Sequence, residues 1–114
     1  MANTFKSDTK SDLTTAVITD AGATVVTAGA TATLIVMSVL VSNKSGSTIN
    51  IDVYLDKNSG DDSYLIKSAP VPSGSSLEVI SGSRVVLNSS DKLQIRADAG
   101  TSGDATVSYL EQTP

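Results

Sequence analysis

Asp56, Asn58, Gly60 and Asp62 place oxygen-bearing side chains and a glycine at alternate positions of one short polar segment. Calcium takes several hard oxygens from a flexible turn, so this is the first place to look for a cation. The spacing departs from an EF-hand loop. That loop needs its glycine one position later than Gly60, and its closing bidentate glutamate is here Lys67. The pattern is that of a solvated turn whose Asp and Asn side chains cap backbone groups. No metal or cofactor is expected.

Other constellations fall short in the same way. Carboxylate pairs can run acid–base chemistry, but Asp61 and Asp62 are adjacent in a polar loop, and Asp52 and Glu78 read as wet-face strand residues. Gly74-Ser75-Ser76 and Ser81-Gly82-Ser83 resemble nucleophile turns only superficially. The G-x-S-x-G pattern is missing, and the chain contains no histidine to activate a serine. Cysteine is also absent, which removes thiol nucleophiles, disulfides and zinc–thiolate sites. Catalysis is therefore not expected. Tyr54, Tyr64 and Tyr109 could line a sugar-binding face, though tyrosines on separate strands more often sit at a core edge with a wet hydroxyl.

The 114 residues fit one domain, able to bury a core without staples. With no tryptophan and one phenylalanine, that core must come from Val, Ile, Leu and Ala. The net charge is −4, and the eight basic residues are scattered. A nucleic-acid partner would require clustered cations, so none is expected. The start Met-Ala-Asn-Thr-Phe-Lys-Ser-Asp lacks an apolar segment behind it, which predicts no secretory leader and synthesis in the cytoplasm. The apolar run from Ala32 to Val41 is half the ~20 residues of a membrane-spanning helix, and its β-branched content favours strand.

Strands must position whatever this protein presents. Ile49, Ile51, Val53 and Leu55 alternate with Asn50, Asp52 and Tyr54, giving one buried and one wet face. Together with the preceding apolar strand, Thr33 to Ser42, this predicts a β-hairpin through the Ser/Asn/Lys/Gly turn. That first strand is apolar on both faces: Leu34, Val36 and Leu40 on one, Ile35, Met37, Val39 and Val41 on the other. Further strands are expected at Leu13 to Thr19 (with Val17 and Ile18), around Val25 and Val26, and at Ser63 to Ser68, Leu77 to Ile80, Arg84 to Leu87, Lys92 to Ala97 and Ala105 to Leu110. Asn88 to Asp91 reads as the turn of a second hairpin. Pro70, Pro72 and Gly74 indicate an edge, or a crossing between sheets. About eight or nine short strands at this spacing form an all-β fold, a single antiparallel β-sandwich of jelly-roll type. Residues 1–12 read as a polar N-terminal arm, mobile or ordered only by a partner, and residues 13–114 as the sandwich domain.

From Leu34 to Glu111 the chain resembles a family of small β-proteins from the virions of tailed bacteriophages. The resemblance rests on the strand ending Val-Leu-Val-Ser-Asn43 and on Ile-Asn-Ile-Asp-Val-Tyr-Leu55. It also rests on Pro-Val-Pro-Ser-Gly-Ser-Ser-Leu-Glu78, on Asp-Lys-Leu-Gln-Ile-Arg-Ala97 and on the terminal Val-Ser-Tyr-Leu-Glu111. It implies a virion structural protein present in many copies, either a capsid decoration (cement) protein or a neck or tail accessory subunit, with no catalytic residues to transfer. The partners implied are the major capsid protein or neck and tail proteins. A carbohydrate-binding β-sandwich, with Tyr54, Tyr64 and the Asp56–Asp62 loop, is the alternative from another class.

Only one face of the doubly apolar strand can meet the opposite sheet. The other should be covered by residues 1–20 or by another subunit. The candidate assembly face is accordingly Met37, Val39 and Val41, with Phe5 from the arm. A homo-oligomer is expected, a trimer by preference, and Val39→Asp should then damage assembly more than folding.

Overall fold

The computed structural model describes residues 2–16, 21–58, 60–80 and 84–114. Among the described residues nine strands run β1 Ala2–Lys10, β2 Thr24–Thr27, β3 Thr33–Asn43, β4 Ile49–Asp56, β5 Ser63–Val71, β6 Ser76–Ile80, β7 Val85–Leu87, β8 Lys92–Ala97 and β9 Gly103–Thr113. A single 3-10 turn over Ala21–Ala23 is the only helical element among the described residues. The first sheet has the order β1-β9-β3-β6, with β7 also on β3, and the second the order β2-β8-β4-β5. Every pairing is antiparallel. β6 and β7 share one place, at different heights along β3. Counted as one, they complete the strand order of an eight-stranded jelly roll. The all-β sandwich expected from the alternation is the fold observed.

The core lies between the two sheets. Leu34, Val36, Val39, Val41, Leu87 and Val107 face Ile49, Ile51, Val53, Leu93 and Ile95, all essentially inaccessible. Each such side chain contributes about 1.5–3 kcal/mol on burial, which replaces the aromatic mass this chain lacks. Gly103 opens β9 where the backbone meets Ile49, Leu13 and the Ser42 carbonyl. A β-carbon there would stand 3.2 Å from the Ile49 terminal methyl.

A β-bulge alters the reading of β3. Val36 lies opposite Tyr109 and Ser38 opposite Ser108, leaving Met37 as the extra residue. One inserted residue reverses the inward–outward parity of everything after it. Leu34 and Val36 before the bulge therefore share the core side with Val39 and Val41 after it, and all four are at most 1% exposed. The two-faced apolar strand is thus one buried face with a bulge in it. Val39 and Val41 belong to the protein's own core and cannot form an assembly face, and the argument for a trimer built on that face loses its basis.

Neither expected hairpin forms. β3 and β4 lie in opposite sheets, as do β7 and β8. Each pair is an arch that carries the chain across the sandwich, so two apolar faces meet through the core instead of lying side by side. A buried Asx side chain fastens each corner. Asn43, 2% exposed, donates through Nδ2 to the carbonyls of Ser47 (2.7 Å) and Val71 (2.8 Å). Its Oδ1 accepts from the Ser45 amide and hydroxyl. Asp91 does the equivalent at the other arch. Proline behaves as anticipated. Pro70 sits in β5, the edge of the second sheet, and the chain crosses to the first sheet after Pro72.

Residues 2–10 are a strand, not an unordered arm. β1 pairs with β9 through nine consecutive positions, Ala2 opposite Thr113 to Lys10 opposite Ala105, without a break. It lies beside the sheet and does not cover the outer face of β3, because β9 stands between them. The strand expected from Leu13 is not present over its first part. Leu13 is a buried core residue whose amide donates to the Gly103 carbonyl at 2.7 Å. Val17 and Ile18 of that expected strand, and the Ser81-Gly82-Ser83 turn, lie outside the described residues.

Candidate assembly surface

Residues directly opposite in an antiparallel ladder point to the same side of the sheet. On the outer face of the first sheet, Phe5 of β1 is opposite Leu110 of β9, Leu110 opposite Ile35 of β3, and Ile35 opposite Val86 of β7. These four apolar side chains form one row across four strands, roughly 14 Å long at the usual strand spacing. Phe5 is 75% exposed and Val86 45%. Leu110 and Ile35 between them are half-buried. The rows on either side are polar: Asn3, Gln112 and Thr33 on one, Ser7, Ser108 and Ser38 on the other. Leu40 adds a third exposed apolar side chain to this face, next to Thr106 and Glu78.

Of the residues expected to form an assembly face, only Phe5 is openly exposed. Met37 is half-buried at the bulge, and Val39 and Val41 are in the core. The bulge is what the sequence conceals. Ile35 keeps the outward place that parity gave it, and Leu110 and Val86, not Val39 and Val41, continue the apolar row there.

Polar contacts on the other side of β1 hold it to β9. Lys6 Nζ is 2.7 Å from Glu111 Oε1, and the Tyr109 hydroxyl donates to Asp8 Oδ2 at 2.9 Å. Beyond the strand, Asp12 adopts the left-handed backbone region (φ 56°). Its amide donates to Asp104 Oδ1 at 2.9 Å, and Lys44 forms ion pairs with both Asp12 and Asp104. The Asp12 amide and the Lys44 ammonium hold the Asp104 carboxyl below its ordinary range. Hydrogen bonds donated by its ammonium to the Asp12 and Asp104 carboxylates raise the Lys44 pKa.

Burial, with Asp8 beside it, pushes the Tyr109 phenol up to about 12. A folded-state pKa above the ordinary value of about 10 means that ionisation disfavours the native state. The contribution is complete below about pH 10 and is lost as pH rises towards 12. Urea midpoints measured across that window should fall more steeply for the native chain than for Tyr109→Phe. Parallel curves would show that the buried hydroxyl carries no such linkage.

The remaining candidates are mostly taken up by structure. Asp62 accepts the Lys57 amide on Oδ1 (2.8 Å) and the Tyr54 hydroxyl on Oδ2 (3.1 Å), so its loop is organised by its own backbone. Among the described residues no group of three or more Asp and Glu side chains is arranged around a common point. Asp52 is not on a wet face. It is 6% exposed and paired with Arg96 Nη1 at 2.9 Å, and it also accepts the Ser68 amide at 2.7 Å. Glu78 is exposed, as expected. Tyr54 and Tyr64 meet edge-on, with centroids 4.9 Å apart, and the Lys67 ammonium lies 4.6 Å over the Tyr64 ring. Tyr109 is in the other sheet and buried, so the three tyrosines do not share a face. Sequence reasoning passed over Asn43 and Asp91. The available signal was an Asx residue at each turn between two apolar strands.

No protein family, no curated protein and no solved structure was found to match this chain.

Proposed function

We propose that this protein is a structural subunit of a tailed-bacteriophage virion, a capsid decoration or cement protein that binds the assembled shell in many copies. The observation that carries the reading is where the side chains are used. Buried Asn43, Asp52 and Asp91 are committed to arches and strand contacts. What faces outward is a jelly-roll sheet with a narrow apolar row between polar rows. Such a surface suits shallow, repeated contacts with other protein subunits. The phage-like strands from Leu34 to Glu111 support the same reading. Partners are then further copies of the chain and the major capsid protein, and the site of action is the virion. A neck or tail accessory subunit is the variant within this class. Cryo-electron microscopy of the virion tests it. Density for the chain on the shell lattice is expected, density only in the tail would move the protein there, and its absence from particles would end the reading.

A second reading, a carbohydrate-binding module, is supported by the Tyr54–Tyr64 pair at the exposed end of β4 and β5. It predicts glycan-array binding that is lost in Tyr64→Ala. A calcium-assisted version predicts a higher melting temperature in millimolar calcium than in chelator. The Lys67 ammonium already over the Tyr64 ring weighs against it.

A further inference from the structure

β1 is a long edge strand whose protection, among the described residues, comes down to the charges of Lys6, Asp8 and Lys10. Its other neighbour is missing among the described residues, since β1 ends the first sheet. Seven of its nine residues are exposed. No proline or bulge interrupts it. Edges of this kind offer a row of backbone donors and acceptors for another strand. The question is which strand, and the charges of β1 answer it.

Two copies of one strand pair antiparallel about a twofold axis, so one residue faces itself and its neighbours face one another in mirror order. An axis at Lys6 sets lysine against lysine. An axis at Asp8 sets aspartate against aspartate and Lys6 against Lys10. An axis at Phe5 pairs no opposite charges, with Thr4 facing Lys6 and Ala2 facing Asp8. An axis at Ser7 places Lys6 opposite Asp8 twice, Thr4 opposite Lys10 twice and Phe5 opposite Thr9 twice. Opposite charges directly across a pair favour it and like charges oppose it. An axis at Thr9 also matches Asp8 with Lys10 but overlaps only the last three residues of the strand. Lys6 and Asp8 are already oriented on one face by Glu111 and Tyr109, so little side-chain freedom is lost on pairing.

We propose that β1 pairs antiparallel with β1 of a second copy of this chain about a twofold axis at Ser7, joining the two first sheets into one continuous sheet. Residues Thr4–Lys10 form the new ladder, the two Lys6–Asp8 pairs set its register, and Thr9 of each copy comes to lie against the Phe5 ring of the other. This deepens the assembly reading above and rests on it in taking the partner to be a second copy. The assemblies it generates are even-numbered.

The absence of cysteine from the chain makes a direct test possible. Asn3→Cys, Phe5→Cys, Ser7→Cys and Thr9→Cys each introduce one thiol on the outer face of β1. Under mild oxidation, Ser7→Cys should give a covalent dimer at least about tenfold faster than the others, because only there do twin thiols come within disulfide reach. The Thr9 twins stand about 13 Å apart in this register. Sedimentation of the unmodified chain should show a dimer. Asp8→Lys should weaken it, and Lys6→Asp/Asp8→Lys/Glu111→Lys, which restores the opposite charges both across the pair and between β1 and β9, should recover it. A chain that stays monomeric, fastest cross-linking at any other position, or no recovery in the charge swap would overturn the pairing. The two proposals fail separately. A Ser7-centred dimer absent from virions would end the virion reading and leave the pairing, and a virion carrying isolated monomers would do the reverse.

Discussion

Val39→Asp is expected to prevent folding, not merely assembly. Val39 is fully buried between the sheets, packed among Val41, Val107 and the inward side chains of the second sheet. A carboxylate there has no cation or hydrogen-bond donor to meet, and such a substitution costs about 4–5 kcal/mol or more. Total stability for a domain of this size is about 5–15 kcal/mol, so even the lower cost removes about a quarter of it at the high end of that range and most of it at the low end. The purified variant should lack a cooperative unfolding transition by circular dichroism and lack dispersed amide resonances. Leu40→Asp is the control one position along. Leu40 points outward and is 38% exposed, so that variant should fold. A well-folded Val39→Asp protein that merely fails to assemble would contradict the bulge at Met37.

Asp91→Ala should be the most damaging polar substitution. The Asp91 carboxylate is 2% exposed and accepts from Lys57 Nζ (2.6 Å), the Asn58 amide (2.8 Å) and the Asn88 amide (2.9 Å). Burial alone would push its carboxyl up. The hydrogen bonds from Lys57, Asn58 and Asn88 and the charge of Lys57 outweigh burial and hold it below the ordinary range. Removing it strands two backbone donors and a half-buried ammonium at the arch between β7 and β8, at a cost of roughly 3–5 kcal/mol. The melting temperature should fall by about 10 °C or more. Lys57→Met should cost less, because both amides keep their acceptor. A depressed carboxyl contributes stability above its ordinary pKa of about 4, and that contribution is lost as pH falls through the folded value. The gap between wild type and Asp91→Asn should therefore narrow below about pH 4. An Asp91→Ala protein within 1 kcal/mol of wild type in urea would remove the arch from the stability argument.

The parts of this fold that depend on local pattern were legible. Alternation placed Ile49, Ile51 and Val53 inward, and Pro70 and Pro72 correctly marked an edge and a crossing. The parts that depend on a single residue or on distant partners were not. A bulge at Met37 leaves no trace in composition, yet it moves Val39 and Val41 from the supposed outer face into the core. An apolar strand, a polar turn and another apolar strand describe a hairpin and an arch equally well. The difference lies in what Asn43 and Asp91 do once buried. Asp52 looked solvated because its partner Arg96 is distant in sequence and comes beside it only through the β4–β8 pairing. β1 was unreadable as a strand because no apolar alternation forms it. Its backbone ladder and two polar contacts with β9 hold it instead. The outer row of Phe5, Leu110, Ile35 and Val86 draws one residue from each of four strands, so it could not be assembled before the register was known.

The position of β9 has a kinetic consequence. β9 lies between β1 and β3, so the first sheet cannot close until Gly103–Thr113 has been made. Until then β3 has only the short β6 and β7 on one side, and β1 has no ladder at all. Closing such long loops is entropically slow, which puts folding in the millisecond-to-second range or beyond for a topology of this kind. During synthesis, the long apolar strand β3 waits with an open edge that another nascent chain could fill. The charges on β9 and β1 (Asp104, Glu111, Lys6, Asp8 and Lys10) make the native closure distinguishable from pairing between two β3 strands, which carry no charge. The order in which the strands are made thus places the greatest hazard of misassembly in the interval before residue 103 has been synthesised.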